Sequence, residues 1–239
     1  MIICVALNPA LYLDYTADEV KLGRANAVEA VRQRAVGRGL AVARLLHTFG
    51  HEVSAAGLAG GSAGESIRAE LARAGVATRF TRIGAESRRV VRVADGTGTS
   101  TSFREPAPYI TTEELGRLAG DYRDQLAGAT AVVLSGSLPA GLPPETYGSL
   151  TSYAAGAGVP VILDAGGAEL RHGAARGPAV VIPEVVSEGA GLETAPGSSI
   201  VLMTDSGAQA KTPLGQWQAD FIDPTTGDAA PPAGRAGEA

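Results

Sequence analysis

Short apolar runs separated by helical patterns organise most of this chain. Residues 2–7 form a continuous apolar run closed by Asn8-Pro9, which reads as a strand buried on both faces. Over residues 40–49, Val42, Leu45, Leu46 and Phe49 recur at helical spacing, with Gly50 as the stop. Two capping-box spacings mark further helix starts. Ser62 and Glu65 precede Ile67, Leu71 and Ala74, and Thr111 and Glu114 precede Leu115, Leu118 and Leu126. Strand-like runs follow at 131–135, 159–163, 179–182 and 200–203, and Pro143-Pro144 opens a helix through Tyr147, Leu150 and Ala154. Strands alternating with helices predict an α/β fold, a mostly parallel sheet covered on both faces. Its binding crevice is expected at the carboxyl ends of the strands.

One region departs from this alternation. Residues 89–94 and 99–104 alternate polar and apolar positions around Asp95-Gly96-Thr97-Gly98, the pattern of an antiparallel hairpin with a wet face. Together with 13–31 they predict a small second sheet, a candidate lid drawn from about 12–31 and 88–105. Around Trp217, residues 216–221 alternate as a packed strand would. Residues 229–239 show no apolar periodicity, so a disordered tail is expected after an α/β domain of residues 1–228.

Composition narrows the classes. The chain has 239 residues, 45% of them hydrophobic and 19% charged, which suits a globular domain. No run of about 18 apolar residues occurs, so no membrane span is expected. A net charge of −5 removes the electrostatic term that drives most nucleic-acid binding. Cys4 is the single cysteine, which excludes an internal disulfide and a multi-cysteine metal site. The start lacks a basic signal region, and a cytoplasmic address is the expectation. His47, His51 and His172 show no paired metal-ligand spacing, and Ser135-Gly-Ser137 looks like a nucleophile turn without a placed histidine.

The most unusual local signal is Ala35-Val-Gly-Arg-Gly-Leu-Ala-Val-Ala-Arg44, a glycine turn running straight into a helix. Glycines there let the backbone approach a ligand, and the free amides of a helix start favour an anion. Before it stands Leu7-Asn-Pro-Ala-Leu11, and after it Leu58-Ala-Gly-Gly-Ser-Ala-Gly64. Glu86-Ser-Arg88, Glu105-Pro-Ala-Pro108, Leu134-Ser-Gly-Ser-Leu-Pro139 and Val161-Ile-Leu-Asp164 then follow in order. This series resembles the ribokinase (PfkB) family of carbohydrate kinases, most closely the 1-phosphofructokinase and tagatose-6-phosphate kinase branch. The resemblance implies a three-layer, doubly wound ribokinase-like sheet, a β-sheet lid, ATP with Mg²⁺, a sugar or sugar-phosphate ligand, and a homodimer formed through the lid.

The resemblance also implies site residues. Asp228, ending Asp223-Pro-Thr-Thr-Gly-Asp228, matches the base that accepts the hydroxyl proton, with Gly227 in the anion hole. Asn8, Tyr12, Gly37, Arg38, Gly39 and Arg88 match the substrate side, where Arg38 stands for the lysine of the glycine motif and suits a phosphate bidentately. Glu184, Ser187, Thr204 and Gly207 match the nucleotide and Mg²⁺ side.

Several of these positions depart from the family pattern. Tyr12 replaces the sugar-binding Asp, for which Asp14, two residues on along the same strand face, is a candidate stand-in. Ala41 replaces an Asn. Ile182-Pro-Glu-Val-Val-Ser187 has lost the Lys, Asn and Glu of its motif, with Glu188 one position beyond. Thr204-Asp-Ser-Gly207 is shortened, and the Asp228 turn has lost a glycine and meets Pro231-Pro232. The chain also stops where the family continues. The expectation is phosphoryl transfer to a hexose-phosphate hydroxyl that is impaired or lost, the alternatives being a repurposed sugar-phosphate-binding regulatory protein or a truncated, decaying gene product.

Overall fold

The structure is a computed structural model, and it describes residues 1–184, 192–204, 207–211 and 217–218. The chain begins with β1 (Ile2–Ala6), β2 (Ala10–Ala17) and β3 (Ala30–Val36), then α1 (Arg38–Thr48), β4 (Val53–Gly60) and α2 (Gly61–Arg73). Next come β5 (Ala77–Ile83), β6 (Arg89–Asp95), β7 (Ser100–Arg104), α3 (Thr112–Leu126), β8 (Ala131–Ser135) and α4 (Thr146–Gly156). It continues through β9 (Val161–Ala165), α5 (Gly167–Ala174), β10 (Val180–Pro183), β11 (Ser199–Thr204), β12 (Gly207–Lys211) and β13 (Trp217–Gln218).

The main sheet runs β13-β12-β11-β10-β9-β8-β1-β4-β5. From β11 to β5 every neighbouring pair is parallel, and β12 and β13 join antiparallel at one edge. Strand β1 sits between β8 and β4, and its alternation divides the core. Ile3 and Val5 point to a cluster with Leu118 and Tyr122 of α3, Tyr147 and Leu150 of α4 and Leu170 of α5. Cys4 and Ala6 point the other way, to Leu40 and Ala43 of α1 and Ile67 and Leu71 of α2. Three layers result, the expected α/β architecture. Burial pushes the Cys4 thiol up to about 12.

The second sheet is ordered β3-β2-β6-β7. The hairpin expected around residues 95–98 is present as β6 and β7, paired antiparallel, while β2 and β6 run parallel. The sheet is therefore mixed, and its first strand begins at Ala10 rather than at residue 12 or 13.

Two local expectations are corrected. Leu45 and Phe49 do not pack α1 onto the sheet, since they are 54% and 67% exposed; Gly39, Leu40 and Ala43 form the buried face instead. The Ser62–Glu65 spacing makes no capping box. Glu86 reaches the first turn of α2 from the β5–β6 connection and accepts from the Ala63 and Ser62 amides at 2.6 and 3.2 Å. Glu65 pairs with Arg68 and Arg82 instead. The Thr111–Glu114 box is formed as expected. Strands β4 and β5 and helix α5 carry weaker signals. Val53-Ser-Ala-Ala-Gly-Leu-Ala-Gly60 is buried throughout, yet it has only one β-branched residue to mark it as a strand.

Candidate functional site

A cleft of about 300 Å³ opens at the carboxyl ends of β1 and β8, between the main sheet and the small sheet. Asn8 enters it just past β1, Tyr12 from β2, Gly37 and Arg38 from the start of α1, and Glu184 from just past β10. Gly37 is the N-cap of α1 and makes no side-chain cap bond. Gly39 does not line the cleft. A Cβ there would come within 2.7 Å of the Val5 carbonyl oxygen, so its absence lets α1 start against β1 and brings Gly37 and Arg38 to the cleft.

Arg38 is engaged by two carboxylates. Its Nη1 lies 3.2 Å from Asp164 Oδ1 and its Nη2 3.7 Å from Glu184 Oε2. Asp164 is the penultimate residue of β9, and its other oxygen accepts a hydrogen bond of 2.5 Å from the Ser135 hydroxyl. Arg38 and Glu184 were singled out by sequence, but the pairing between them was not. Ser135 and Asp164 entered only as parts of motifs, although an Asp directly after the apolar run Val161-Ile-Leu was a usable signal at a strand's carboxyl end.

Asn8 and Arg88 both line the cleft and are in contact. Arg88 Nη2 donates to the Asn8 carbonyl at 3.4 Å, and Asn8 Nδ2 donates to Ser137 Oγ at 3.3 Å. Asn8 Oδ1 and Arg88 Nε are buried without a partner among the described residues. Buried polar atoms are normally hydrogen-bonded, so these two are exceptions beside the cleft.

Tyr12 lines the cleft, with the Arg34 guanidinium 5.9 Å from its ring centroid. Asp14, two residues along β2, is held by Arg34 Nε at 2.6 Å and Arg92 Nε at 2.8 Å. The hydrogen bond from Arg34, and then the Arg92 guanidinium, hold its carboxyl below the usual carboxylate range. Ala41 donates its amide to Gly37 O within α1. Thr204 and Gly207 are register partners at the end of the β11–β12 hairpin, described in backbone only. Ser187, Glu188, Gly227 and Asp228 lie outside the described residues.

The donors present do not fit a divalent cation as they stand. Among the described residues no group of three or more His, Cys, Asp or Glu side chains could hold a metal ion. Both carboxylates at the cleft are already matched by a guanidinium.

Comparison with known proteins agrees with this architecture. The family described as pfkB family carbohydrate kinase matches residues 4–187. A Thermotoga maritima structure described as a possible 1-phosphofructokinase is 23% identical with a TM-score of 0.75, over 88% of this chain and 74% of that one. Phosphofructokinase-2 from Escherichia coli, in a tetrameric inhibited form, is 23% identical with a TM-score of 0.80, over 93% of this chain and 80% of that one. The same enzyme in complex with fructose-6-phosphate gives 23% identity and a TM-score of 0.79, again over 93% and 80%. Among the described residues no helix is long and apolar enough to cross a membrane.

Proposed function

Because the chain belongs to the pfkB family of carbohydrate kinases, we propose that its cleft binds a sugar phosphate while phosphoryl transfer to a hexose-phosphate hydroxyl is impaired or lost. One asymmetry of the cleft carries this reading. Its cationic side has Arg88, which lines the cleft and is matched by no carboxylate among the described residues, whereas the carboxylates Asp164 and Glu184 are both held by Arg38. A guanidinium without a carboxylate partner suits a phosphate, and the start of α1 at Gly37 adds the favourable end of a helix dipole. Asn8, which lines the cleft, is the side-chain amide for a sugar hydroxyl in this reading. Tyr12 offers a hydroxyl where a carboxylate would accept two.

Transfer requires a base and stabilisation of the moving charge. In this reading Asp228 is the base and Gly227 the remnant anion hole, while the cleft carboxylates are not free for the Mg²⁺ that accompanies ATP in the family. The shortened turn and the prolines after it remove amide donors from that hole, which typically costs orders of magnitude in rate. A second copy of the chain is the expected partner, through the small sheet. Val31 and Phe103, on one face of that sheet by register and 55% and 64% exposed, support the pairing.

The test is calorimetric titration with fructose 1-phosphate, fructose 6-phosphate and tagatose 6-phosphate, beside an ADP-release assay with ATP and Mg²⁺. The expected result is binding of at least one sugar phosphate, weakened tenfold or more by Arg88→Ala, with turnover no higher than in Asp228→Asn. Turnover well above that control, or no binding of any of the three, overturns the reading.

A further inference from the structure

We propose that Arg38 is a built-in counter-cation: its guanidinium occupies the place of a divalent metal ion between Asp164 and Glu184, and its removal opens a two-carboxylate cation site. This rests on the ion-pair geometry of the cleft and not on sugar-phosphate binding. Strands β9 and β10 are parallel neighbours, with Asp164 opposite Ile182, and the Glu184 amide donates to Ala165 O at 3.0 Å. The sheet itself therefore sets two carboxylates at adjacent strand ends. Two such charges repel unless a cation lies between them. Arg38 supplies it, with Nη1 on one carboxylate and Nη2 on the other at 3.2 and 3.7 Å.

Asp164 is also fixed independently of Arg38. Ser135 is 1% exposed and donates to Asp164 Oδ2, so that carboxylate keeps its orientation when the guanidinium is gone. The guanidinium is tethered at the first residue of α1, so it is a permanent occupant. With Arg38 present the three side chains sum to one negative charge; without it they carry two, on oxygen donors of the kind Mg²⁺ and Mn²⁺ prefer together with water. The lysine-to-arginine change in the glycine motif thus acquires a consequence for cation binding.

The experiment is a Mn²⁺ titration of the full chain, read by electron paramagnetic resonance of free Mn²⁺ and by the shift of Tm with added Mn²⁺. No sugar phosphate is present, so its outcome is separate from that of the ligand titrations above. Arg38→Ala is expected to bind Mn²⁺ at least tenfold more tightly than the wild type and to gain thermal stability with the ion. Arg38→Ala combined with Asp164→Asn or with Glu184→Gln is expected to return to the wild-type affinity. Arg38→Met keeps most of the side-chain stem and serves if the alanine variant does not fold, which circular dichroism reports. Equal affinity in the wild type and the Arg38 variant, or tightening that survives loss of Asp164, overturns the proposal.

Discussion

Ser135 and Asp164 are register partners on neighbouring parallel strands, and the serine hydroxyl donates to the aspartate carboxylate at 2.5 Å. Residues opposite each other in register share a face, so β8 and β9 deliver donor and acceptor together. Hydrogen bonds to a charged group contribute about 1.5–3 kcal/mol. Ser135→Ala is expected to lower unfolding stability by about that amount, measured by urea denaturation. An unchanged midpoint would show that the bond contributes nothing net.

The cap of α2 predicts a pH dependence. Bonds from the Ala63 amide first, and from the Ser62 hydroxyl and amide, hold the Glu86 carboxyl below the usual range. A depressed folded value means that its stabilisation is complete above the unfolded value of about 4.3 and is lost as pH falls through the folded one. Glu86→Gln is expected to cost about 1 kcal/mol at pH 7, as cap losses do, and to differ less from the wild type as the pH is lowered. Thermal unfolding of both proteins between pH 7 and pH 3 measures this.

Two buried tyrosines are expected to answer the same substitution differently. Tyr147 donates its hydroxyl to Gly136 O at 3.0 Å, whereas the Tyr122 hydroxyl is buried with no partner among the described residues. Tyr147→Phe removes the bond to the Gly136 carbonyl and is expected to cost about 1 kcal/mol. Tyr122→Phe removes an unsatisfied polar atom and is expected to be neutral or stabilising. Equal losses in the two variants, read from denaturant midpoints, contradict this account.

Gly39 joins packing to the cleft. A methyl group there meets backbone, the Val5 carbonyl oxygen at 2.7 Å, and no flexible side chain can yield. Gly39→Ala is expected to cost about 1–3 kcal/mol through overpacking. Because the start of α1 must move, sugar-phosphate affinity should fall as well. Ligand titration of the folded variant measures that second effect.

The exposed apolar face of the small sheet gives a prediction about assembly. If two copies pair there, Phe103→Ser and Val31→Ser shift the dimer to monomer in sedimentation experiments and leave the monomer folded. A molecular mass unaffected by both substitutions removes the small sheet as the interface.

Much of the fold was legible because its signals are local. The run at residues 2–7 is buried on both faces, and the Thr111–Glu114 box forms because both partners lie in one helical turn. Ser62 and Glu65 have the same spacing and no box. Glu86, 24 residues from Ser62, takes the amides first, and local spacing holds no trace of a competitor that arrives from another element. The buried face of α1 was misread for a related reason. Leu45 and Phe49 are periodic, yet the sheet admits Gly39 and Ala43, small residues that allow close approach.

The site divides along the same line. Sequence alone supplied Asn8, Gly37, Arg38 and Arg88, and the order of motifs placed them near a strand-end crevice. Which charges meet was settled only by tertiary structure. Arg38, Asp164 and Glu184 are far apart in the chain and converge because β8, β9 and β10 are neighbours and α1 starts against β1. A sequence states which charges exist, whereas an ion pair depends on distances between strand ends that only the order and register of the sheet determine.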